Sequence, residues 1–113
     1  MMATVQPTPN PSSAHILVTE VVENTKKSAQ IQILPISGTV LNHEAPWQLT
    51  AHWPQSKPLE YTLKDFDFQK NVFRVPFPNS TVTLSDLKFK VVYFVCNTTK
   101  TWCKRLIHEQ NFK

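Results

Sequence analysis

Two cysteines near the C-terminal end are the residues whose types and spacing offer this chain a definite chemistry. Cys96 and Cys103 are its only cysteines, and six residues separate them. Apolar runs typical of strands lie before the first and after the second, and a connection of this length suits a β-hairpin. Opposed side chains of a hairpin have Cβ atoms about 4.5–5.5 Å apart, near enough for a disulfide to close with modest adjustment. The pair therefore predicts disulfide chemistry.

The spacing leaves three interpretations of the cysteine pair open. The first is a redox-active dithiol, the second is a structural clamp across the hairpin, and the third is two reduced thiols without a chemical role. A C-x6-C pattern has low specificity, and it is not the C-x-x-C of a thioredoxin site. For the clamp, chain entropy predicts at most about 2.5 kcal/mol of stabilisation, because the loop is short.

The positive charge of the chain is concentrated around this hairpin. The net charge is +4, to which residues 88–113 contribute +5 and the preceding residues −1. Lys100, Lys104 and Arg105 are expected to lower the pKa of a nearby thiol, because a positive field favours the thiolate. The same charges could instead form a docking surface for an acidic partner, or a sheet edge that lysines protect.

Other kinds of site find little support. The four histidines are scattered through the chain, whereas structural zinc usually takes its ligands in close pairs. We therefore expect no metal and no cofactor, and we expect no nucleic-acid partner. No apolar run approaches the roughly 20 residues of a membrane-spanning helix, so we expect no membrane insertion by this segment.

Alternating apolar and polar residues predict an all-β fold. Runs with period 2 are separated by proline and by polar turns, and no convincing helix is found. This pattern favours an immunoglobulin-like antiparallel β-sandwich of about seven to nine strands. The run Leu87–Cys96 is apolar on both faces after Lys90, which indicates a central strand. The predicted strands are His15–Val22, Ala29–Ile33, Trp47–Trp53, Asn71–Val75, Thr81–Leu84, Leu87–Cys96 and Trp102–His108.

The remaining segments predict the domain organisation. Residues 1–13 have no charged side chain and three prolines, which is the composition of a flexible linker or arm. Residues 14–113 are expected to form a single β-sandwich domain, and we interpret the chain as one domain of a longer protein. Leu34–Trp47 is predicted to be mainly loop, and residues 59–70 mix the two periods and stay ambiguous. Trp47 and Trp53 are predicted to be buried.

Two stretches resemble one known family. Ile33–Pro35 and Gly38–Pro46 form the first, and the second consists of Phe89–Cys96 followed by Cys103-Lys104. Together they resemble the small β domains related to the N-terminal domain of the thiol–disulfide interchange protein DsbD. They are most similar to the C-terminal β domains of proteins that combine a thioredoxin-like domain with an NHL-repeat propeller. The resemblance covers about a third of the chain, and it implies an immunoglobulin-like sandwich.

The resemblance also implies a function and a partner. It implies exchange through Cys96 and Cys103, a thioredoxin-like domain or protein as partner in cis or in trans, and a periplasmic or other extracytoplasmic location. We therefore expect a thiol–disulfide exchange module or an accessory domain of a redox protein, with the more exposed sulfur as the one attacked. The alternative is a non-catalytic β-sandwich interaction domain whose disulfide is structural or absent.

Overall fold

The computed structural model describes residues 14–111 of the chain, and the side chains of residues 14–110. The predicted linker, residues 1–13, lies outside the described part. In chain order the strands are β1 (Ala14–Glu23), β2 (Lys26–Pro35), β3 (Thr39–Leu41), β4 (Gln48–His52), β5 (Leu59–Thr62), β6 (Val72–Pro76), β7 (Lys88–Asn97) and β8 (Cys103–Asn111). Short 3-10 turns cover Leu63–Asp65 and Leu84–Asp86. Within residues 14–111 no helix has the length and apolarity needed to cross a membrane.

The strands form two antiparallel sheets that pack face to face. The first sheet has the order β1-β2-β6. In the second sheet, β7 pairs with β8 along one edge. Along its other edge, the first half of β7 pairs with β4 and the last residues of β7 pair with β3. Strand β5 pairs with the outer edge of β4. This arrangement confirms the predicted all-β antiparallel sandwich. It also confirms that the run around Val91 is a central strand.

The core lies between the sheets and takes one side chain in two from each central strand. On β7, the residues Phe89, Val91, Tyr93 and Val95 are buried, because alternate side chains of a strand point to the same face. An aromatic cluster fills one end, where the Trp47 ring lies 4.8 Å from that of Phe66, centroid to centroid. Trp47 and Trp53 are 2% and 0% exposed, which confirms the prediction that both are buried.

One predicted strand is absent, and two other segments contain short elements that the sequence did not predict. The predicted strand Thr81–Leu84 is wrong, because this segment is a loop that leads into the 3-10 turn beginning at Leu84. Asp86 takes the chain out of the extended conformation there, since its carboxylate accepts a 2.8 Å hydrogen bond from the Thr83 N–H. The segment Leu34–Trp47, predicted to be mainly loop, contains the three-residue strand β3. The ambiguous segment 59–70 holds β5 and the other 3-10 turn.

Tyr93 makes the stability of the folded state depend on pH in the alkaline range. Its side chain is buried, and its hydroxyl oxygen accepts a 3.3 Å hydrogen bond from the Ala14 N–H. Burial raises the pKa of the phenol, and this bond lowers it by less. Because the folded state then favours the neutral phenol, this stability is intact below the unfolded pKa of about 10 and is lost as the pH rises through the folded value.

We predict that the free energy of unfolding falls above about pH 10, and that Tyr93→Phe reduces this fall. Urea unfolding at a series of alkaline pH values measures it. Tyr61→Phe is the matched control: burial and then Asp65 raise the pKa of Tyr61 as well, but its ring is only partly buried, so the slope should change less. Equal slopes for wild type and Tyr93→Phe would contradict the prediction.

Candidate functional site

The candidate site is the disulfide between β7 and β8. These strands pair antiparallel with Cys96 directly opposite Cys103, and the two Cα atoms are 4.0 Å apart. The sulfurs are bonded at 2.06 Å. The structure thus has the hairpin that the sequence predicts, with the cysteines in the bonded state that the redox and clamp interpretations both require.

The two cysteines lie on the outer face of the second sheet, away from the core. Phe89, Val91, Tyr93 and Val95 point inward, so alternation directs Cys96 outward together with Val92 and Phe94. Cys96 is nevertheless only 3% exposed, whereas its partner Cys103 is exposed. The disulfide therefore presents one accessible half and one covered half.

Asn97 shapes the loop between the cysteines. Its Oδ1 accepts hydrogen bonds from the N–H groups of Thr101 and Trp102, at 2.8 and 3.1 Å. Its Nδ2 donates to the hydroxyls of Thr99 and Thr101, at 2.9 and 2.6 Å. Lys100 turns the chain with φ 58°, a left-handed conformation that glycine would occupy at lower cost. The hydrogen bonds of the Asn97 side chain thus stabilise a tight turn that contains no glycine.

The segment after β2 closes one side of the site. Val40 on β3 lies opposite Cys96, and the Thr98 N–H of the cysteine loop donates to the Gly38 carbonyl at 3.2 Å. Gly38 has φ 86°, a value that favours glycine, and its conformation lets the turn before β3 meet this loop. The two stretches that carry the resemblance to DsbD-type domains are therefore neighbours in the fold.

Asn42 and Trp47 anchor the same segment to the core. The Asn42 N–H donates to the Phe94 carbonyl at 2.9 Å, and the Asn42 carbonyl accepts a 2.8 Å hydrogen bond from the Trp47 Nε1–H. Since Trp47 is buried, this bond fixes the loop against a rigid support. The Asn42 side chain in turn accepts a 3.0 Å hydrogen bond from the Glu44 N–H.

A groove of about 810 Å³ runs beside the disulfide. Its walls are residues 40–44 together with Pro35, Asn71, Lys100, Cys96 and Cys103. The His43 ring, one of these walls, packs at 3.9 Å on the ring of Phe68. No motif pointed to Asn71 or to the His43–Phe68 contact, because both arise from the approach of the sheets and not from local spacing.

The predicted basic residues divide between this groove and its surroundings. Lys100 lines the groove, whereas the Lys104 Nζ lies 5.4 Å from the centre of the exposed Trp102 ring. Arg105 lies opposite Phe94 of β7. It follows Cys103 by two residues and therefore lies on the same face of β8. Thus Lys100 faces the groove beside the cysteines, while Arg105 belongs to the outer face of the strand.

Among the described residues no metal-binding cluster points to a second site, and the comparisons with known proteins do not point to one either. Among the described residues no group of three or more His, Cys, Asp or Glu side chains is placed to hold a metal ion. No protein-family model matches the chain, and no curated protein or solved structure is significantly similar to it. The geometry around the disulfide therefore carries the functional argument.

We predict that the bond between Trp47 and Asn42 contributes measurably to stability. Trp53 is the matched comparison, because its ring is also buried but its Nε1–H has no hydrogen-bond partner among the described residues. Both Trp→Phe changes remove an N–H and some ring volume, but only Trp47→Phe leaves the Asn42 carbonyl without its donor. Trp47→Phe should cost about 1 kcal/mol more than Trp53→Phe in urea unfolding. An equal or larger loss for Trp53→Phe would contradict this.

Proposed function

We propose that this chain is a thiol–disulfide exchange module, or an accessory domain of a redox protein, that acts through Cys96 and Cys103. The observation that carries the proposal is the unequal exposure of the two cysteines at the wall of a groove. Exchange requires that a thiolate approach one sulfur in line with the existing bond. The exposed Cys103 offers that approach, and the buried Cys96 does not.

The exchange step follows from this asymmetry. A partner thiolate attacks the Cys103 Sγ, a mixed disulfide forms, and the bond to Cys96 breaks with its electron pair on the Cys96 Sγ. The partner's second thiol, as its thiolate, then attacks the partner's own sulfur in the mixed disulfide, which releases Cys103 as a thiolate. The partner dithiol is oxidised to a disulfide, and Cys96 and Cys103 are reduced. The reverse sequence oxidises the domain.

The fold favours a reversible reaction because contacts other than the bond also bring the cysteines together. The β7–β8 ladder pairs Cys96 with Cys103, and the hydrogen bonds of Asn97 shape the loop between them. Reclosure is then an intramolecular step between groups that are already oriented. Lys100 beside the groove supplies positive charge that favours a thiolate there.

The partner and the compartment belong to the same proposal. The stretches that resemble DsbD-type domains lie within Ile33–Pro46 and Phe89–Lys104, and both border one groove, which is where a partner in thiol exchange would dock. We therefore propose a DsbD-like domain whose partner is a thioredoxin-like domain or protein. An extracytoplasmic compartment is consistent with this, because disulfides persist in oxidising surroundings.

A non-catalytic interaction domain with a structural disulfide is the second candidate. The burial of Cys96 favours it, because a covered sulfur is protected from exchange. Against it stands the short loop, for which the entropic gain of a clamp is only about 2.5 kcal/mol. The two candidates predict different behaviour of the single-cysteine variants.

The test uses a thioredoxin-like protein whose resolving cysteine is replaced by serine and whose remaining cysteine carries thionitrobenzoate. Cys96→Ser leaves Cys103 as the free thiol, and Cys103→Ser leaves Cys96. We predict that Cys96→Ser forms the mixed disulfide about tenfold faster, because its thiol is exposed. The release of thionitrobenzoate gives the rate, and mass spectrometry identifies the linked cysteine.

Two controls make the result specific to the fold. The double serine variant should release no thionitrobenzoate, and the difference between the single variants should disappear in urea, where both thiols are exposed. If neither single variant reacts faster than the double variant in the folded state, the exchange function is rejected. The interaction domain with a structural disulfide would then be the better description.

A further inference from the structure

Strand β8 has a long edge with which no other strand of the described residues pairs. Within the described residues β8 pairs with β7 alone, so its other edge lies open along Cys103–Asn111. Such an edge is a template for another strand, and proteins usually shorten, twist or cover it. This edge has nine residues and carries both signs of charge in an ordered pattern.

The hydrogen-bond pattern shows which groups face outward. The Asn97 N–H donates to the Trp102 carbonyl at 3.1 Å, so 97 and 102 form a hydrogen-bonded pair. Pairs along an antiparallel ladder alternate, so Leu106 and His108 also direct their backbone groups toward β7. The N–H and C=O groups of Cys103, Arg105, Ile107 and Glu109 therefore point away from β7, to the free edge.

The side chains at these positions also share one face. Arg105, Ile107 and Glu109 are exposed and lie on the outer face of the sheet, opposite Phe94, Val92 and Lys90 of β7, respectively. Ile107 is 48% exposed, although it continues the apolar row begun by Val92. Neither Arg105 nor Glu109 forms an ion pair with another side chain of the described part.

We propose that β8 pairs antiparallel with β8 of a second copy of this chain, about a two-fold axis at Ile107. In this register Ile107 meets Ile107 of the second copy, and Arg105 meets its Glu109 on both sides of the axis. Each of these pairs joins residues whose backbone groups already point outward. In this register the two strands can therefore form ladder hydrogen bonds while opposite charges face each other. A shift by one residue would oppose inward-pointing groups.

Charge complementarity is what selects a second copy as the occupant. Each Glu109 would lie between Lys90 of its own chain and Arg105 of the other copy, in a row of alternating charge across the joined sheets. The central row would be apolar, formed by Val92 and Ile107 of both copies. Opposite charges and apolar side chains that face each other across strands are both stabilising. The pairing does not depend on the proposed exchange function.

Sedimentation equilibrium over a concentration series tests this pairing. The wild-type chain should dimerise reversibly, and salt should weaken the dimer. Arg105→Glu should weaken dimerisation about tenfold or more, because two attractive pairs become repulsive, and Glu109→Arg should do the same. Arg105→Glu with Glu109→Arg restores complementary pairs, so it should recover most of the affinity.

Two further measurements separate pairing along β8 from a general effect of net charge. Lys57→Glu makes the same change in net charge at an exposed position outside β8 and should leave dimerisation unchanged. In hydrogen exchange, the amides of Arg105, Ile107 and Glu109 should gain protection as concentration rises, whereas Leu106 and His108 should already be protected by β7. Circular dichroism verifies that each variant is folded.

Three results would overturn the proposal. The first is a wild-type chain that stays monomeric up to its solubility limit, which would leave the edge for some other occupant. The second is a dimer that Arg105→Glu and Lys57→Glu affect equally. The third is a doubly charge-exchanged variant that fails to dimerise although it is folded.

Discussion

The burial of one face of β7 is the constraint on which the rest of the structure depends. Phe89, Val91, Tyr93 and Val95 occupy the core, and they fix the rotation of the strand about its own axis. A slip of one residue would expose all of these side chains and bury Lys88 and Lys90. The same constraint places Cys96 on the outer face, where Cys103 of β8 can reach it. Core packing thus positions the chemistry at a distance from the core itself.

Turns around this strand are built almost without glycine. Gly38 is the only glycine of the chain, yet Asn24, Asn71 and Lys100 also have positive φ, and asparagine tolerates that conformation better than most residues. Asparagine contributes through its side chain as well, because Asn42 and Asn97 each accept hydrogen bonds from backbone N–H groups of their own loops. Loops held in this way give the groove fixed walls. A fixed groove suits recognition of a partner, since little conformational entropy is lost on binding.

The sequence predicts most of the strands because each of them has one buried face. Alternation in Ala29–Ile33 and Trp47–Trp53, and the two-sided apolar run of β7, all correspond to strands of the structure. The prediction is wrong at Thr81–Leu84, where β-branched residues occur but Asp86 stabilises a 3-10 turn. The sequence does not predict strand β3, because three residues are too few to show an alternation of apolar and polar side chains. Its pairing with β7 is a long-range contact that spacing cannot reveal.

The candidate site was predictable only in part, for the same physical reason. The pairing of Cys96 with Cys103 follows from a local hairpin, and local structure is what a sequence pattern reports. The burial of Cys96 and the exposure of Cys103 depend on β3 and on the turn at Gly38, which cover one strand and leave the other at an edge. Asn71 reaches the groove through the packing of the first sheet on the second. The spacing of the cysteines in the sequence indicates neither the covering of Cys96 nor the position of Asn71.

The reduction potential of the Cys96–Cys103 pair tests the central claim most directly. The folded domain is equilibrated in glutathione buffers of graded ratio, free thiols are alkylated, and the reduced fraction is measured by mass spectrometry. A disulfide with one exposed half in a short, preorganised hairpin should have a potential more oxidising than about −300 mV, within the range in which protein disulfides exchange. A potential below about −300 mV would identify a structural clamp and would contradict the exchange function.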